Sequence, residues 1–470
     1  RRAAAAMADA ASASTGEKEL AGAAASTQVG ARKRDQTPPV RVRHPPPADG
    51  KDAAAPAGGG KAAKEKEEAK EFGGPIGAFC IMVGSHVLMY VMARSLYGSD
   101  LAMFAPTPKS VAWFLAYHGS QYAFARVMPG VYVKGLSELG YWCNGYSTFY
   151  ATVASAVLLH YVGVFDLTDL VKDYPAFLTT AVILGNIYSV MTHFGYAKGS
   201  QRWSIYDFFI GVETHPRLGM VDVKMVAETR LSWTLLFLVT LGGYVETTRS
   251  TGSWLNPAGF MVMAHGLYAN ACAKGEHFIP YTWDISTEKF GWMLCWWNLA
   301  GVPLVYCYQS LFLAKYAWSG LVLPPIPEGV YYGVLAVALL LAYWIWDEAN
   351  YHKCYFKMEM RGEILKRNLF PTFRHVKDAK YIKCDAGTLL IDGWYGYARK
   401  IHYTADTAMA LLWGLSCGFS SFWPYFYFIF FVAMITHRAG RDEARCREKY
   451  GDAWEKYLKA VPYRFIPKVY

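Results

Sequence analysis

Charge is what this sequence has least of. Only 18% of its 470 residues are Asp, Glu, Lys or Arg, against 53% hydrophobic and 16% aromatic, a balance too apolar for most soluble enzymes and one that puts a membrane protein first. Paired cysteines are missing as well. The nine cysteines (Cys80, Cys143, Cys272, Cys295, Cys307, Cys354, Cys384, Cys417 and Cys446) stand singly and in odd number, so neither a disulfide framework nor a zinc cage is expected. No G-x-G-x-x-G fingerprint follows a strand and no G-x-x-x-x-G-K-[ST] loop occurs, which excludes the usual soluble nucleotide sites. His-Glu-x-x-His, paired histidine boxes and a G-x-S-x-G elbow are also lacking, so no metal centre and no serine hydrolase is expected. The net charge of +10 is not gathered on one aromatic-studded face, and no nucleic acid is expected as partner.

The charge that is present is unevenly spread. Residues 1–70 hold 13 Lys/Arg and 9 Asp/Glu in an Ala-, Pro- and Gly-rich context almost free of branched apolar and aromatic residues. Such a segment buries too little surface to offset its ordering entropy and reads as a disordered tail, with no secretory signal peptide expected. From Gly73 onward apolar stretches recur near 74–96, 108–126, 146–166, 174–196, 231–248, 257–273, 289–315, 328–347 and 404–436, each close to the roughly 20 residues a spanning helix needs. The last is broken by Gly418, Ser420, Ser421 and Pro424 and reads as two passes or a hairpin. The expected fold is therefore all-α: a polytopic integral membrane protein with about 8–10 transmembrane helices behind the tail. Lys and Arg enriched at 353–380 and 438–468 put those segments on one, cytoplasmic, side.

Ionisable groups inside an apolar body are costly unless they face a partner or a cavity, so their positions point to function. Three clusters appear. The first runs from Arg202 through Tyr206 and Asp207 to His215, Arg217, Asp222, Lys224, Glu228 and Arg230, which a salt-bridged loop capping the membrane would also explain. The second is Glu276-His277 with Thr282, Asp284 and Glu288 beside the aromatic Gly291–Asn298 stretch, where an interfacial belt is the plainer reading. In the third, Asn350, Lys353 and Lys357 share a helical face, as would Arg399, Tyr403 and Asp406, and Asp442, Lys449 and Tyr457 follow the last apolar stretch. Such faces suit a multiply charged flat cofactor, although a cytoplasmic basic collar would give many of the same charges.

Together these clusters resemble the sterol reductase family of the endoplasmic reticulum, which comprises the sterol C14, C7 and C24(28) reductases and the lamin B receptor. The likeness covers residues 71–470 and rests on Glu71-Phe72-Gly73-Gly74-Pro75, the segment from Pro129-Gly130 to Asn144-Gly145, Tyr206–Gly211 with Pro216-Arg217, Leu389–Arg399, and Thr436–Arg464. Residues 289–307, 368–383 and above all Ala398-Arg-Lys-Ile-His-Tyr-Thr-Ala-Asp406 look most like the C24(28) branch. His215 stands where the family usually has Asn.

The resemblance implies NADPH as cofactor, held by the C-terminal part, about 345–470, of a reductase domain spanning 71–470. Its contacts would fall on Lys353, Lys357, Leu390, Tyr395, Arg399, His402, Tyr403, Asp442, Cys446, Lys449, Tyr450 and Tyr457. It implies a sterol substrate and a multi-pass place in the endoplasmic reticulum membrane. The reaction would reduce the C24(28) double bond of a sterol side chain, a late step of ergosterol- or phytosterol-type synthesis. Because hydride does not attack an isolated alkene, a proton must arrive first, from a carboxyl kept from water beside an apolar substrate. Asp406 with Tyr403 as relay is the first choice of acid, Tyr206 or Asp207 the second, with Glu228, Glu276, Asp284 and Trp297 expected along the substrate path. Reduction at C7 or C14, a non-catalytic lamin B receptor-like role, and an isoprenylcysteine-type methyltransferase are the rival readings.

Overall fold

In the computed structural model, residues 71–136, 139–198, 204–365 and 369–469 are described. The tail expected over 1–70 and Arg202 of the first cluster lie outside them. The chain divides at Glu67, and the described residues belong to the second unit, Glu68–Tyr470.

That unit is overwhelmingly helical. Its main elements are α1 (Gly74–Tyr97), α2 (Pro108–Val127), α3 (Gly145–Tyr161), α4 (Tyr174–Tyr196), α5 (Ile205–Ile210), α6 (Val223–Thr251), α7 (Ala258–Lys274), α8 (Trp292–Trp296), α9 (Tyr308–Tyr316), α10 (Glu328–Glu359), α11 (Ile401–Leu415), α12 (Phe426–Tyr450) and α13 (Asp452–Ala460). Three antiparallel hairpins, Val131–Lys134 with Gly140–Cys143, Arg217–Leu218 with Val221–Asp222, and Tyr381–Cys384 with Gly387–Leu390, are the only strands among the described residues.

Four helices, Glu71–Tyr97, Tyr174–Tyr196, Val223–Thr251 and Glu328–Glu359, are by themselves long and apolar enough to cross a bilayer. Their outer faces show why. On α1, Ala78, Met89, Met92, Ala93 and Leu96 are buried, while Ile76, Phe79, Val83 and Val87 stand exposed on the other side. A helix apolar all round needs an apolar medium on its unpacked face, and hydrocarbon supplies it. The stretch over 404–436 separates into α11 and α12 as its Gly, Ser and Pro residues suggest. Gly418 turns the chain at φ +68, and a Cβ there would meet the Val322 carbonyl oxygen at 2.4 Å.

The stretch at 289–315 departs from a single helix. It passes from α8 through a π turn at Trp297–Gly301 into Val302–Val305, then breaks before α9. A second π turn, Ala227–Leu231, interrupts α6 and carries Glu228, Thr229 and Arg230. Widened turns of this kind re-aim side chains without ending the helix.

The interior holds ion pairs as well as rings. Trp292, Trp296 and Trp413 are among the largest fully buried side chains. Arg230 meets Glu276 at 2.7 Å with both side chains almost wholly buried. Lys224 is buried too, its ammonium donating to the carbonyls of Asp284, Ile285 and Glu288 at 2.7–2.9 Å.

Candidate active site

Two adjoining environments form around the start of α11. His402 and Asp406 are one helical turn apart and both buried, so this short stretch faces a charged cluster at its beginning and a cluster of packed aromatic rings further in.

At the charged end, Lys353 and Lys357 lie one turn apart on α10. Among the described residues neither has a carboxylate within salt-bridge distance. The Lys353 ammonium stands 5.6 Å from the centroid of the Tyr395 ring. The Tyr395 hydroxyl is 3.1 Å from His402 Nδ1, and the His402 ring is 4.3 Å from that of Tyr403. Lys400 pairs with Asp442 of α12. Burial alone would raise that carboxyl, but the ammonium of Lys400, with those of Lys353 and Lys357, holds it below the usual carboxylate range. Farther along α12, Cys446 and Tyr450 pack with Trp454, Tyr457 and Val461, Lys449 sits 5.0 Å from the Tyr450 ring, and burial beside Asp442 raises the Cys446 thiol and keeps it neutral. Leu390 is buried among Ala349, Phe356, Tyr395 and Ala398. The segments rich in Lys and Arg are thus joined at one end of the bundle, Ile382 and Leu389 packing in the same cluster as Trp454 and Tyr457.

Free ammonium groups beside flat rings are the donor set that a nucleotide with several phosphates and a nicotinamide requires, so these residues fit NADPH. Arg399 has further partners. It precedes α11 instead of sharing its face with Tyr403 and Asp406, and its Nη1 donates to the Val461 and Pro462 carbonyls at 2.8 and 2.7 Å while Nη2 reaches Glu443 at 3.2 Å. With backbone bonds from Arg399 and Lys400 to Tyr463 and Arg464, it clamps the C-terminal segment, while its Nε is buried without a hydrogen-bond partner among the described residues.

Asp406 faces the aromatic cluster. Its Oδ2 accepts from the Tyr268 hydroxyl at 3.4 Å. The phenol at Asp406 is therefore Tyr268 and not Tyr403, whose ring packs on His402. Tyr268 in turn stacks on Trp346 at 4.7 Å, tilts against Trp233 at 4.5 Å and meets Trp413 edge-on at 5.6 Å. Trp233 leads to Tyr306 at 6.3 Å, whose hydroxyl accepts from Trp297 Nε1 at 3.0 Å. Trp297 is thus connected to Asp406 through rings that sequence reasoning missed. The aromatic excess was the signal for them, but it does not say which rings meet.

The remaining candidates are not in contact with Asp406, although Asp284 reaches His402 and Tyr403 electrostatically through Arg438. Tyr206 and Asp207 sit on α5, where Ser204 Oγ caps the Asp207 amide at 3.1 Å and Tyr206 lies beside Glu71 and Arg441, a different wall from Asp406. Glu276 is spoken for: Oε1 accepts from Arg230 and Thr229 at 2.7 and 2.9 Å, and Oε2 from the Gly145 amide at 2.7 Å. With its oxygens so engaged, it ties α3 and α6 to the turn that follows α7. Asp284 is held by Arg438, whose Nη2 is 3.1 and 2.8 Å from its two oxygens. Among the described residues the Oε1 of Glu228 is buried without a hydrogen-bond partner.

Residues 96–470 match the model of the "Ergosterol biosynthesis ERG4/ERG24 family". The chain belongs to this family of sterol reductases. A Delta(24(24(1)))-sterol reductase of Aspergillus fumigatus is 40% identical over 444 residues, 84% of this chain and 92% of that protein. One of Gibberella zeae is 39% identical over 445 residues, 85% of this chain and 73% of its own. A Delta(14)-sterol reductase of Methylotuvimicrobium alcaliphilum is 34% identical over 373 residues, 76% and 82% of the two chains. The family match takes in the charged cluster and the aromatic cluster whole, while Glu71–Pro75 precedes it.

Proposed function

We propose that this sterol reductase uses NADPH to reduce the exocyclic C24(28) bond of a sterol side chain, also numbered 24(24(1)), in the endoplasmic reticulum membrane. That it is an oxidoreductase acting on a sterol carbon–carbon double bond follows from the family. The choice of bond is supported by the 39–40% identity to the two Delta(24(24(1)))-sterol reductases and by the Ala398–Asp406 stretch. Residues 71–470 would form the reductase, with 345–470 supplying the cofactor pocket and 1–70 a tail outside the chemistry.

The observation that carries the mechanism is a buried carboxyl, Asp406, four residues beyond His402 and hydrogen-bonded to Tyr268, whose ring meets Trp346, Trp233 and Trp413. When bound, NADPH supplies the hydride. Lys353 and Lys357 would hold its phosphates, with Tyr395, His402 and Tyr403 as flat contacts and Asp442 anchoring Lys400. Asp406 would give its proton to the methylene carbon C28, leaving positive charge at the tertiary C24, where a bound cofactor would supply hydride. The rings stabilise that charge through their π faces and exclude the water that would quench it. Tyr268 orients the acid.

Asp406→Asn keeps the shape and removes the proton. It should lower kcat by about 10²-fold or more while NADPH still binds, and near-normal turnover in a membrane assay would sink the assignment. Reduction of the C14 bond is the second reading, favoured by the 34% identity to a Delta(14)-sterol reductase. Sterol profiling in cells lacking their own C24(28) reductase separates the two: 24-methylene sterol should disappear on expression, and its persistence despite good expression would overturn the bond assignment.

A further inference from the structure

Each turnover of the proposed reaction consumes a proton, and Asp406 is only 7% exposed. A spent carboxylate there needs a supply route, and any such route rests on the reading of Asp406 as the acid.

Lys274 of α7 and Asp347 of α10 pair at 2.5 Å with side chains 10% and 9% exposed. These same helices carry Tyr268 and Trp346, the stacked rings at Asp406. An ion pair so deep is a poor stabiliser, since the desolvation of two charges offsets their attraction and an apolar pair of similar volume would serve as well. Its two ends differ in a way that stability does not require. On the outer side, Lys274 Nζ donates to the Pro371 carbonyl at 2.9 Å and lies 5.0 Å from the Phe373 ring, in a loop whose Phe370 is 77% exposed. On the inner side, the Tyr343 hydroxyl donates to Asp347 Oδ2 at 2.9 Å. The Tyr343 ring is 6.2 Å from that of Trp346, which stacks on the Tyr268 whose hydroxyl meets Asp406. Cys272, one turn beyond Tyr268, lies within electrostatic reach of both Asp347 and Asp406.

We propose that Lys274, Asp347 and Tyr343 form the route by which Asp406 regains its proton from the 369–373 side. The alkene takes the proton of Asp406 and leaves a carboxylate. That carboxylate takes a proton through the Tyr268 hydroxyl that meets it, and the route requires solvent to carry the proton there from the Tyr343 hydroxyl. Tyr343 is refilled from the Lys274–Asp347 pair, and the pair from water at the loop. The net intake is one solvent proton per alkene, with the electron pair arriving separately as hydride.

Two variants test this in membranes supplied with the sterol and NADPH: Asp347→Asn, and the double change Lys274→Met with Asp347→Asn, which leaves no buried ammonium without a counter-ion. Both should lose about tenfold or more in kcat, with KM for sterol and NADPH and the binding of NADPH held within about twofold. The solvent isotope effect on kcat should rise, and the effect of a deuterated hydride should fall toward one, as proton delivery becomes limiting. Turnover within twofold of the parent, or a loss of rate with both isotope effects unchanged, overturns the route in favour of a structural pair. If Asp406→Asn stays active while Asp347→Asn shows the isotope signature, the pair still delivers protons but not to Asp406, and the route as drawn to that carboxyl is overturned together with the reading of Asp406 as the acid.

Discussion

At the scale of single residues, the scarcity of charge in the apolar body made the important groups easy to find and their partners hard. Lys353, Lys357, His402, Asp406 and Asp442 stand out because hydrocarbon tolerates few such residues, and the fold does gather them around the start of α11. Pairing was not legible. Arg230 and Glu276 lie 46 residues apart in sequence, and Lys274 and Asp347 73 apart, so no local spacing joins them. Nor does spacing reveal that Arg399 spends its donors on Val461 and Pro462, because those acceptors are backbone carbonyls with no side-chain signature. Glu276 shows what such pairing costs to break. Glu276→Ala would leave the Arg230 guanidinium buried without a counter-charge, a loss of about 3–5 kcal/mol. We expect the variant to fail as a folded protein in detergent by size-exclusion chromatography. A monodisperse Glu276→Ala whose only defect is a raised sterol KM would restore this residue to the substrate path.

At the scale of elements, hydropathy located the helices well because the lipid-facing side of each is as apolar as its packed side. The stretches expected at 74–96, 174–196 and 257–273 differ from α1, α4 and α7 by a residue at most. What hydropathy does not see is how a helix is wound. The π turns at Ala227–Leu231 and Trp297–Gly301 leave no mark of their winding in a hydropathy window, yet they aim Glu228, Arg230 and Trp297. Close backbone crossings are equally silent. Gly211, at φ +107, and Gly291 touch main chain to main chain, and a Cβ on Gly291 would lie 2.2 Å from the Gly211 nitrogen and 2.3 Å from the Ile210 carbonyl carbon. Neither neighbour is a flexible side-chain tip that could swing aside. Gly291→Ala should therefore cost at least the ~1–3 kcal/mol typical of overpacking and lower Tm in a thermal-shift assay. An unchanged Tm would show that α5 and the start of α8 are not in contact here.

At the scale of the whole molecule, the polar groups draw several parts of the chain to one end of the bundle. Glu71 forms ion pairs with Arg441 and Arg445 of α12, the latter at 2.8 Å. Phe72 takes a left-handed φ of 57, a conformation that costs a non-glycine residue energy and is held only when its surroundings insist. Here the ring packs against Phe209 at 5.7 Å, with the Arg441 guanidinium 5.4 Å from it. Arg445 also lies 4.1 Å over Trp283, so the start of the described chain, the 283–288 segment and α12 are stitched beside Asp442 and Cys446. This strap separates what the ends of the first 72 residues do. A chain lacking residues 1–67, whose loss spares the unit that begins at Glu68, should bind NADPH and turn over as the full chain does. Removal of residues 1–72 takes away both anchors of the strap. It leaves Arg441 and Arg445 without Glu71, and exposed pairs of this kind are worth up to about 1 kcal/mol. The expected result is NADPH binding weaker by up to about fivefold, measured by fluorescence titration of the purified protein. Equal affinity for the two truncations would mean that the strap serves only to tether the chain, and that α12 holds its position beside the cofactor cluster unaided.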